Sequence, residues 1–246
     1  MIASTFAVQP TAAVNLLYAV TFQVVRFDEL LGYKDSSVGD RFGCEGQPDD
    51  NQIRSINVTF RCEVKSVSCQ GRWTIIQNRQ HCITSFSKRN WSDYRNGFGS
   101  LKTDLWLGNE LVSYLTRHPH KARFDLVTST GERRYAQYNL FRILNETQKY
   151  KLMVQGYSGD ATDPLNDNLT ANLPANGRPF STPEQRNCAG GYKAGWWWGN
   201  CGSSCLNGLC PNQEGYDCGK HKCMQWRPLA WKNPLNSSRI RIRRNR

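Results

Sequence analysis

Ten cysteines, six of them crowded between Cys188 and Cys223, constrain what this chain can fold into more than any other feature. An even number favours disulfides, which persist in oxidising compartments; a reducing cytosol would leave ten thiols useful mainly as metal ligands. The candidate zinc set is Cys205, Cys210, Cys218 and Cys223, with His221 close by. Each pair encloses four residues, a wide step for a zinc knuckle, in a chain that already reads as oxidised, so the expectation is disulfides and no metal. N-x-S/T sequons at Asn57, Asn90, Asn145, Asn168 and Asn236 exceed the roughly two or three that chance provides and point to secretion.

The amino terminus complicates that reading. Residues 1–25 carry no charge, but there is no basic leader region, and Pro10 and Asn15 interrupt an apolar run too short and polar to span a bilayer. Val14, Leu16, Tyr18, Val20, Phe22 and Val24 alternate with smaller or more polar residues, the period of a half-buried strand. With no evident signal peptide, an extracellular, secreted chain is expected to be a fragment of a longer precursor. Residues 34–55 are rich in Asp, Gly and Ser, as a linker is. The expected division is therefore a β-rich segment over 1–60, the remnant of an upstream module plus linker, and a main domain over 61–246.

Hydrophobic residues at 39% and charged residues at 21% make the chain globular. Its net charge of +12 attracts anionic partners. Part of the charge is local: Arg239, Arg241, Arg243, Arg244 and Arg246 interleave with Ile240 and Ile242, which suits a last strand with one apolar face. Its arginines then line a solvated sheet edge or hold an anionic glycan such as heparin. Disulfide-rich chemistry and the lack of any zinc-finger or RNA-recognition motif exclude nucleic acid.

In the centre, Trp73-Thr74-Ile75-Ile76-Gln77 is a β-branched strand, and Asn90 is placed to cap a short helix at Trp91–Tyr94. Gly97-Phe98-Gly99 breaks that helix, and Leu111, Val112 and Leu115 suit one face of the next. Strands follow over 122–127, 134–138 and 150–154, which makes an α+β antiparallel sheet with a few helices. His81, His118, His120 and His221 have no nucleophile or metal-site context, and no phosphate loop or hydrolase elbow is present, so the chain is not expected to be an enzyme.

Several blocks carry a resemblance. Trp73–Gln77, Trp91/Tyr94/Gly97-Phe98-Gly99, Leu105–Glu110, Tyr135–Tyr138, Gly156–Gly159, Phe180-Ser181-Thr182, Asn187-Cys188-Ala189, Gly195–Trp198, Asn200-Cys201, Leu206-Asn207-Gly208 and Ile240–Arg243 occur in one order. In that order they resemble the fibrinogen C-terminal (fibrinogen-related) domain family over about residues 62–243, as a divergent member with extra cysteines. The resemblance implies an α+β domain with a central antiparallel sheet, short helices and a loop-rich, disulfide-stapled C-terminal lobe that carries ligands. It implies a Cys188–Cys201 disulfide beside the ligand pocket, and an early disulfide between Cys62 and Cys44. Of the remaining cysteines, Cys69 and Cys82 can close a hairpin around the Trp73 strand. Cys205–Cys210 and Cys218–Cys223 are the shortest closures among three possible pairings.

Lectin-like members of the family grip acetyl groups around the second cysteine, which makes Trp198, Asn200, Cys201, Gly202 and Ser203 the candidate ligand residues. Here Gly202 stands where His is common, Cys205 replaces an Asn, and Cys210-Pro211 occupies a Tyr-Tyr position. Trp196, Trp197, Trp198 and Trp226 either offer a stacking surface to a pyranose or belong to the core. The family's Asp-rich calcium loop is missing, because only Pro183, Glu184, Gln185, Arg186 and Asn187 lie between Thr182 and Cys188. No cofactor is expected, and Asp160, Asp163 and Asp167 read as a weak cation site or an ordinary turn. The leading expectation is a non-enzymatic recognition domain binding a glycan or glycoprotein through the C-terminal lobe; the alternative is a matrix, adhesion or receptor-ligand domain that contacts a protein surface. No heptad repeat is visible, and the oligomeric state stays open.

Overall fold

Period-two alternation builds the sheet. In the computed structural model, which describes residues 43–245 apart from 88, 167–173, 186, 200, 212–217, 219–221 and 231–232, strand β1 (Ile53–Phe60) buries Val58 and Phe60 and exposes Ser55, Asn57 and Thr59. The strand expected at Val14–Val24, and the candidate residues Asn168 and Asn200, lie outside the described residues. Strand β1 pairs along its whole length with β2 (Glu63–Gln70). Arg61 and Cys62 form the turn between them, both left-handed at φ 49° and 64°, the twist that suits a two-residue hairpin. The boundary expected at residue 60 is therefore displaced, since Ile53–Phe60 belongs to the main sheet.

The sheet continues through β3 (Trp73–Arg79), β4 (Phe98–Gly99), β5 (Leu105–Trp106), β6 (His120–Val127), β7 (Arg133–Ile143), β8 (Leu152–Gly159) and β11 (Ser237–Arg244), in the order β1-β2-β3-β11-β6-β7-β8. Every pair is antiparallel, and β2 and β5 share one edge of β3 at different points along it. A second, two-stranded sheet joins β9 (Ser204–Cys205) to β10 (Gln225–Trp226). Among the described residues, three α-helices accompany these sheets: α1 (Trp91–Asn96), α2 (Asn109–Leu115) and α3 (Cys188–Tyr192). Helix α1 begins with a reciprocal cap, in which Asp93 N donates to Asn90 Oδ1 at 2.9 Å and Asn90 N to Asp93 Oδ2 at 3.1 Å. It ends at Gly97 (φ 91°), where a Cβ would stand 2.6 Å from the Leu107 carbonyl oxygen.

Strand β11 is the correction to the reading of the basic tail. It lies at the centre of the sheet, between β3 and β6, and not at an edge. Ser238, Ile240 and Ile242 point into the core, as alternation requires. The intervening arginines are held by the sheet's own polar face. Arg239 donates to Asn78, Gln70 and Gln80. Arg241 donates to Gln70, pairs with Asp125 at 2.8 Å and lies over the Trp73 ring. Arg243 faces Asp49 at 3.3 Å. A central strand cannot leave charged groups unmatched on a half-buried face, and these side chains supply the matches.

Three of the cysteine expectations are corrected. Cys44 pairs with Cys69 and not with Cys62. The hairpin explains it: Cys62 stands exposed at the tip, while Cys69 is buried at the far end of β2, where Cys44 N bonds Thr74 Oγ1 of β3. Cys82 pairs with Cys210, across 128 residues, and closes neither a hairpin with Cys69 nor leaves Cys210 to Cys205. Buried Asp104 shapes the loop that carries Cys82, its two carboxylate oxygens accepting from the backbone of Gln80, His81, Ile83 and Thr84. Burial alone would raise the pKa of that carboxyl, but the backbone N–H groups outweigh it and hold the pKa below the usual range. Cys205 remains a buried thiol within β9, its pKa pushed up to about 12 by burial. Cys188 pairs with Cys201 and Cys218 with Cys223, which removes the tetrahedral zinc alternative.

The core runs from the sheet into the C-terminal lobe through aromatic contacts. Trp106 stacks on Phe180 at 5.9 Å, Phe180 meets Trp197 edge-on at 5.2 Å, and Phe124 leans on Trp226 at 5.4 Å. Buried Gln77 of β3 fastens the same seam, donating to the Leu206 carbonyl and to Ser238 Oγ at 3.0 Å each. Such a satisfied buried amide fixes register where apolar packing alone would tolerate slippage.

Candidate functional site

The C-terminal lobe is assembled from a short run of turns. Ser181 bridges to Trp196, a single 3-10 turn over Pro183–Gln185 follows, and Asn187 caps α3 by accepting from Ala189 N at 2.9 Å. Helix α3 stops at Lys193 in the left-handed conformation (φ 54°), and the chain then runs through the three tryptophans to Cys201. The Cys188–Cys201 disulfide, with Cα atoms 5.0 Å apart, ties both ends of that run together.

The tryptophans are core residues. Trp196, Trp197, Trp198 and Trp226 are at most 6% exposed. Each indole N–H has an internal acceptor: Ser204 Oγ for Trp196, the Tyr150 carbonyl for Trp197, the Ala194 carbonyl for Trp198 and the Ala161 carbonyl for Trp226. Tyr192 covers Trp198 at a centroid distance of 4.8 Å. A Cβ on Gly202 (φ 62°) would come within 3.3 Å of the Trp198 ring, so this site is tight for a larger residue and its backbone favours glycine. The structure thus brings Trp198, Cys201, Gly202 and Ser203 together, but as a packed corner in which Gly202 and Ser203 are buried and Cys201 is half-buried. Among the described residues of this corner, no indole face is left open for a pyranose.

Tyr192, which covers Trp198, and Arg227, whose backbone meets Ser203, are half-buried beside that corner, and half-buried Leu229 follows two residues on. Arg227 N donates to the Ser203 carbonyl, Thr162 Oγ1 donates to the Arg227 carbonyl, and the Arg227 and Tyr192 side chains are near enough to interact electrostatically. Burial lowers the pKa of the Arg227 guanidinium. None of these three residues belongs to a recognisable spacing; only the place of Cys201 in the family order points to this corner.

The calcium question turns on donor chemistry. Within the segment between Thr182 and Cys188 the one carboxylate, Glu184, accepts from Trp91 N at 2.7 Å and so serves α1. That one committed carboxylate is fewer than the several hard oxygen ligands a calcium site needs. In the acidic loop Asp160 accepts from Tyr135 N at 2.7 Å, and Asp163 accepts from the Tyr138 hydroxyl and from Asn166, while Asp167 lies outside the described residues. Burial and the Asp163 charge push the Tyr138 hydroxyl pKa well up, which keeps it a donor. Among the described residues no group of three His, Cys, Asp or Glu side chains is placed to hold a metal ion, and no helix is long and apolar enough to cross a membrane.

A central antiparallel sheet bearing a disulfide-stapled lobe with packed aromatics defines the class as an α+β domain. Residues 46–243 match the family described as fibrinogen beta and gamma chains, C-terminal globular domain, and the chain belongs to that family. It is 36% identical over 181 residues to angiopoietin-related protein 7 of Mus musculus, covering 71% of this chain and 50% of that one. It is 39% identical over 169 residues to angiopoietin-4 of Homo sapiens, covering 64% and 32%. The chain thus spans half or less of the length of these relatives. Among solved structures, the fibrinogen-like globe domain of human ANGPTL6 superimposes with a TM-score of 0.71 at 30% identity, covering 80% of this chain and 90% of that one. Lamprey fibrin D-dimer, solved with the peptide ligand Gly-His-Arg-Pro-amide, gives 0.69 at 26% identity, covering 81% and 72%.

Proposed function

We propose that the chain is a secreted recognition domain whose C-terminal lobe binds an extracellular protein surface, the reading that replaces an acetylated-sugar lectin. The observation that carries it is the burial of Trp196, Trp197, Trp198 and Trp226 with their N–H groups satisfied, which points recognition to the relief of Tyr192, Arg227, Leu229 and the Cys188–Cys201 staple. A surface of mixed aromatic, guanidinium and aliphatic groups is the composition that dominates protein interfaces. The angiopoietin relatives and the peptide-bound lamprey fibrin support the same reading. Binding is inferred to need no calcium, because Glu184 is already committed to α1. A sulfated glycan finds little purchase on β11, where Arg239 and Arg241 are bound to neighbouring side chains. Exposed Asn57, Asn90 and Asn145, half-buried Asn236, and Asn168 are the inferred glycan acceptors of a secreted chain.

The test is an ectodomain binding array probed with the disulfide-intact chain, with EDTA, with free N-acetylglucosamine, and with hits stripped of N-glycans. Binding that survives all three and weakens at least tenfold in Tyr192→Ala/Arg227→Ala supports the reading. Loss on adding the sugar, the chelator or the glycosidase overturns it.

A further inference from the structure

A cleft of about 460 Å³ lies between the β1–β2 hairpin and the segment running from α1 to α2, and it shares no residue with the C-terminal lobe. Its size falls within the range of small-ligand sites. The floor is apolar: Phe60, Leu105, Leu107 and Leu111 each keep 6 to 8% exposure there, although they belong to the core. The rim is charged, and its charges are unequally held. Glu110 is 14% exposed at its side chain, against 36% for Arg95, 46% for Lys65, 62% for Arg61 and 65% for Glu63.

Glu110 is also fixed from below. The Tyr150 hydroxyl donates to Glu110 Oε2, and Arg61 of the hairpin turn pairs with Oε1. Burial and this hydrogen bond push the Tyr150 pKa up, so it remains a donor at neutral pH. The other two cations are already matched, Lys65 by Glu63 at 2.7 Å and Arg95 by Glu146 at 2.9 Å. Arg61 therefore occupies, from solvent, a position facing a rigid and shielded carboxylate above an apolar floor. An exposed arginine in such a pair is held weakly and can be replaced, whereas an anion entering the cleft would face Glu110 itself.

We propose that this cleft binds an amphiphilic cation: a guanidinium or ammonium group that takes the place of Arg61 on Glu110, carried on an aromatic or aliphatic body that covers the leucine and phenylalanine floor. The cation can belong to a free amine or to a basic side chain of a peptide.

The test titrates the full chain with 4-phenylbutylamine, with N-acetyl-Phe-Arg-amide and with the matched anion 4-phenylbutyrate, following backbone amide shifts by NMR. The two cations are expected to perturb Gly97, Gly99 and Leu111 while the butyrate does not; tighter binding of the dipeptide assigns the site to peptides, and of the amine to small molecules. Glu110→Gln, which keeps an oxygen for Tyr150, should weaken cation binding about tenfold, and Arg61→Ala should tighten it several-fold. Equal or stronger binding of the butyrate, cation affinity unchanged in Glu110→Gln or lowered in Arg61→Ala, or no shift at those amides with any probe overturns the proposal.

Discussion

Replacing Cys82 and Cys210 by serine removes the covalent link between the loop after β3 and the C-terminal lobe. The two cysteines are 128 residues apart, whereas Cys218 and Cys223 are separated by 5. In the chain-entropy account of a disulfide, loops of these lengths correspond to about 5 kcal/mol and about 2 kcal/mol of stabilisation. Serine at 210 leaves Arg79 Nη2, which donates to Cys210 Sγ at 2.7 Å, an oxygen to bond instead, so the difference reports mainly the lost cross-link. For a domain of this size each kcal/mol moves the melting temperature by roughly 2–4 °C. Calorimetry should therefore show Cys82→Ser/Cys210→Ser melting roughly 10–20 °C below the parent, and Cys218→Ser/Cys223→Ser only roughly 4–8 °C below it. Peptide mapping under non-reducing conditions must first show the other three bridges intact in each variant. Equal losses, or a larger loss from the short loop, would refute the reasoning and place the long bridge's contribution in local packing.

Acid should act through His120, whose pKa is lowered to about 4, first by burial; its Nε2 stands 3.9 Å from Glu45, too far to offset that. Because the unfolded chain binds this proton more readily, stability is full above about pH 6.5 and falls as pH drops towards 4, by about 3 kcal/mol in all. Urea titrations across that range should show the slope in the parent, and its absence as pH falls should be seen in His120→Asn. Gly195→Ala puts a methyl 2.5 Å from the ring of Tyr94, which is buried and bonded to the Phe86 carbonyl, and should cost roughly 1–3 kcal/mol in urea unfolding. Gly191→Ala, which meets nothing within 4 Å and lies in α3, should be neutral or slightly stabilising in the same assay.

Where local pattern and tertiary placement agree, the sequence was readable. Trp73–Gln77, the Asn90 cap, the Leu111/Val112/Leu115 face and the strands over 122–127 and 134–138 all stand where their periodicity put them. The first hairpin was not legible, because its turn is Arg61-Cys62 and not the Asn-Gly or Asp-Gly that announces left-handed turns. The position of β11 was hidden for another reason: alternation reveals one apolar face but not whether the other meets water or a lattice of amides and carboxylates. Disulfide partners were the least legible, since Cys82 meets Cys210 only after Asp104 has bent the loop before it. At the candidate site, Gly202 marked a departure from the family's pocket, but only its approach to the Trp198 ring shows that the pocket has become a packed corner.

The central place of β11 also governs how the domain is made. Its partners β3 and β6 lie far upstream, and neither pairs with the other. On the ribosome, both strands emerge long before Ser237–Arg244 exists, each with one row of backbone donors and acceptors open. Until the last strand arrives, these edges are the ones through which two nascent chains would pair. A break or a proline anywhere in Ser237–Arg244 therefore does more than shorten the sheet: it leaves a permanent gap between two otherwise complete halves, whose open edges favour self-association.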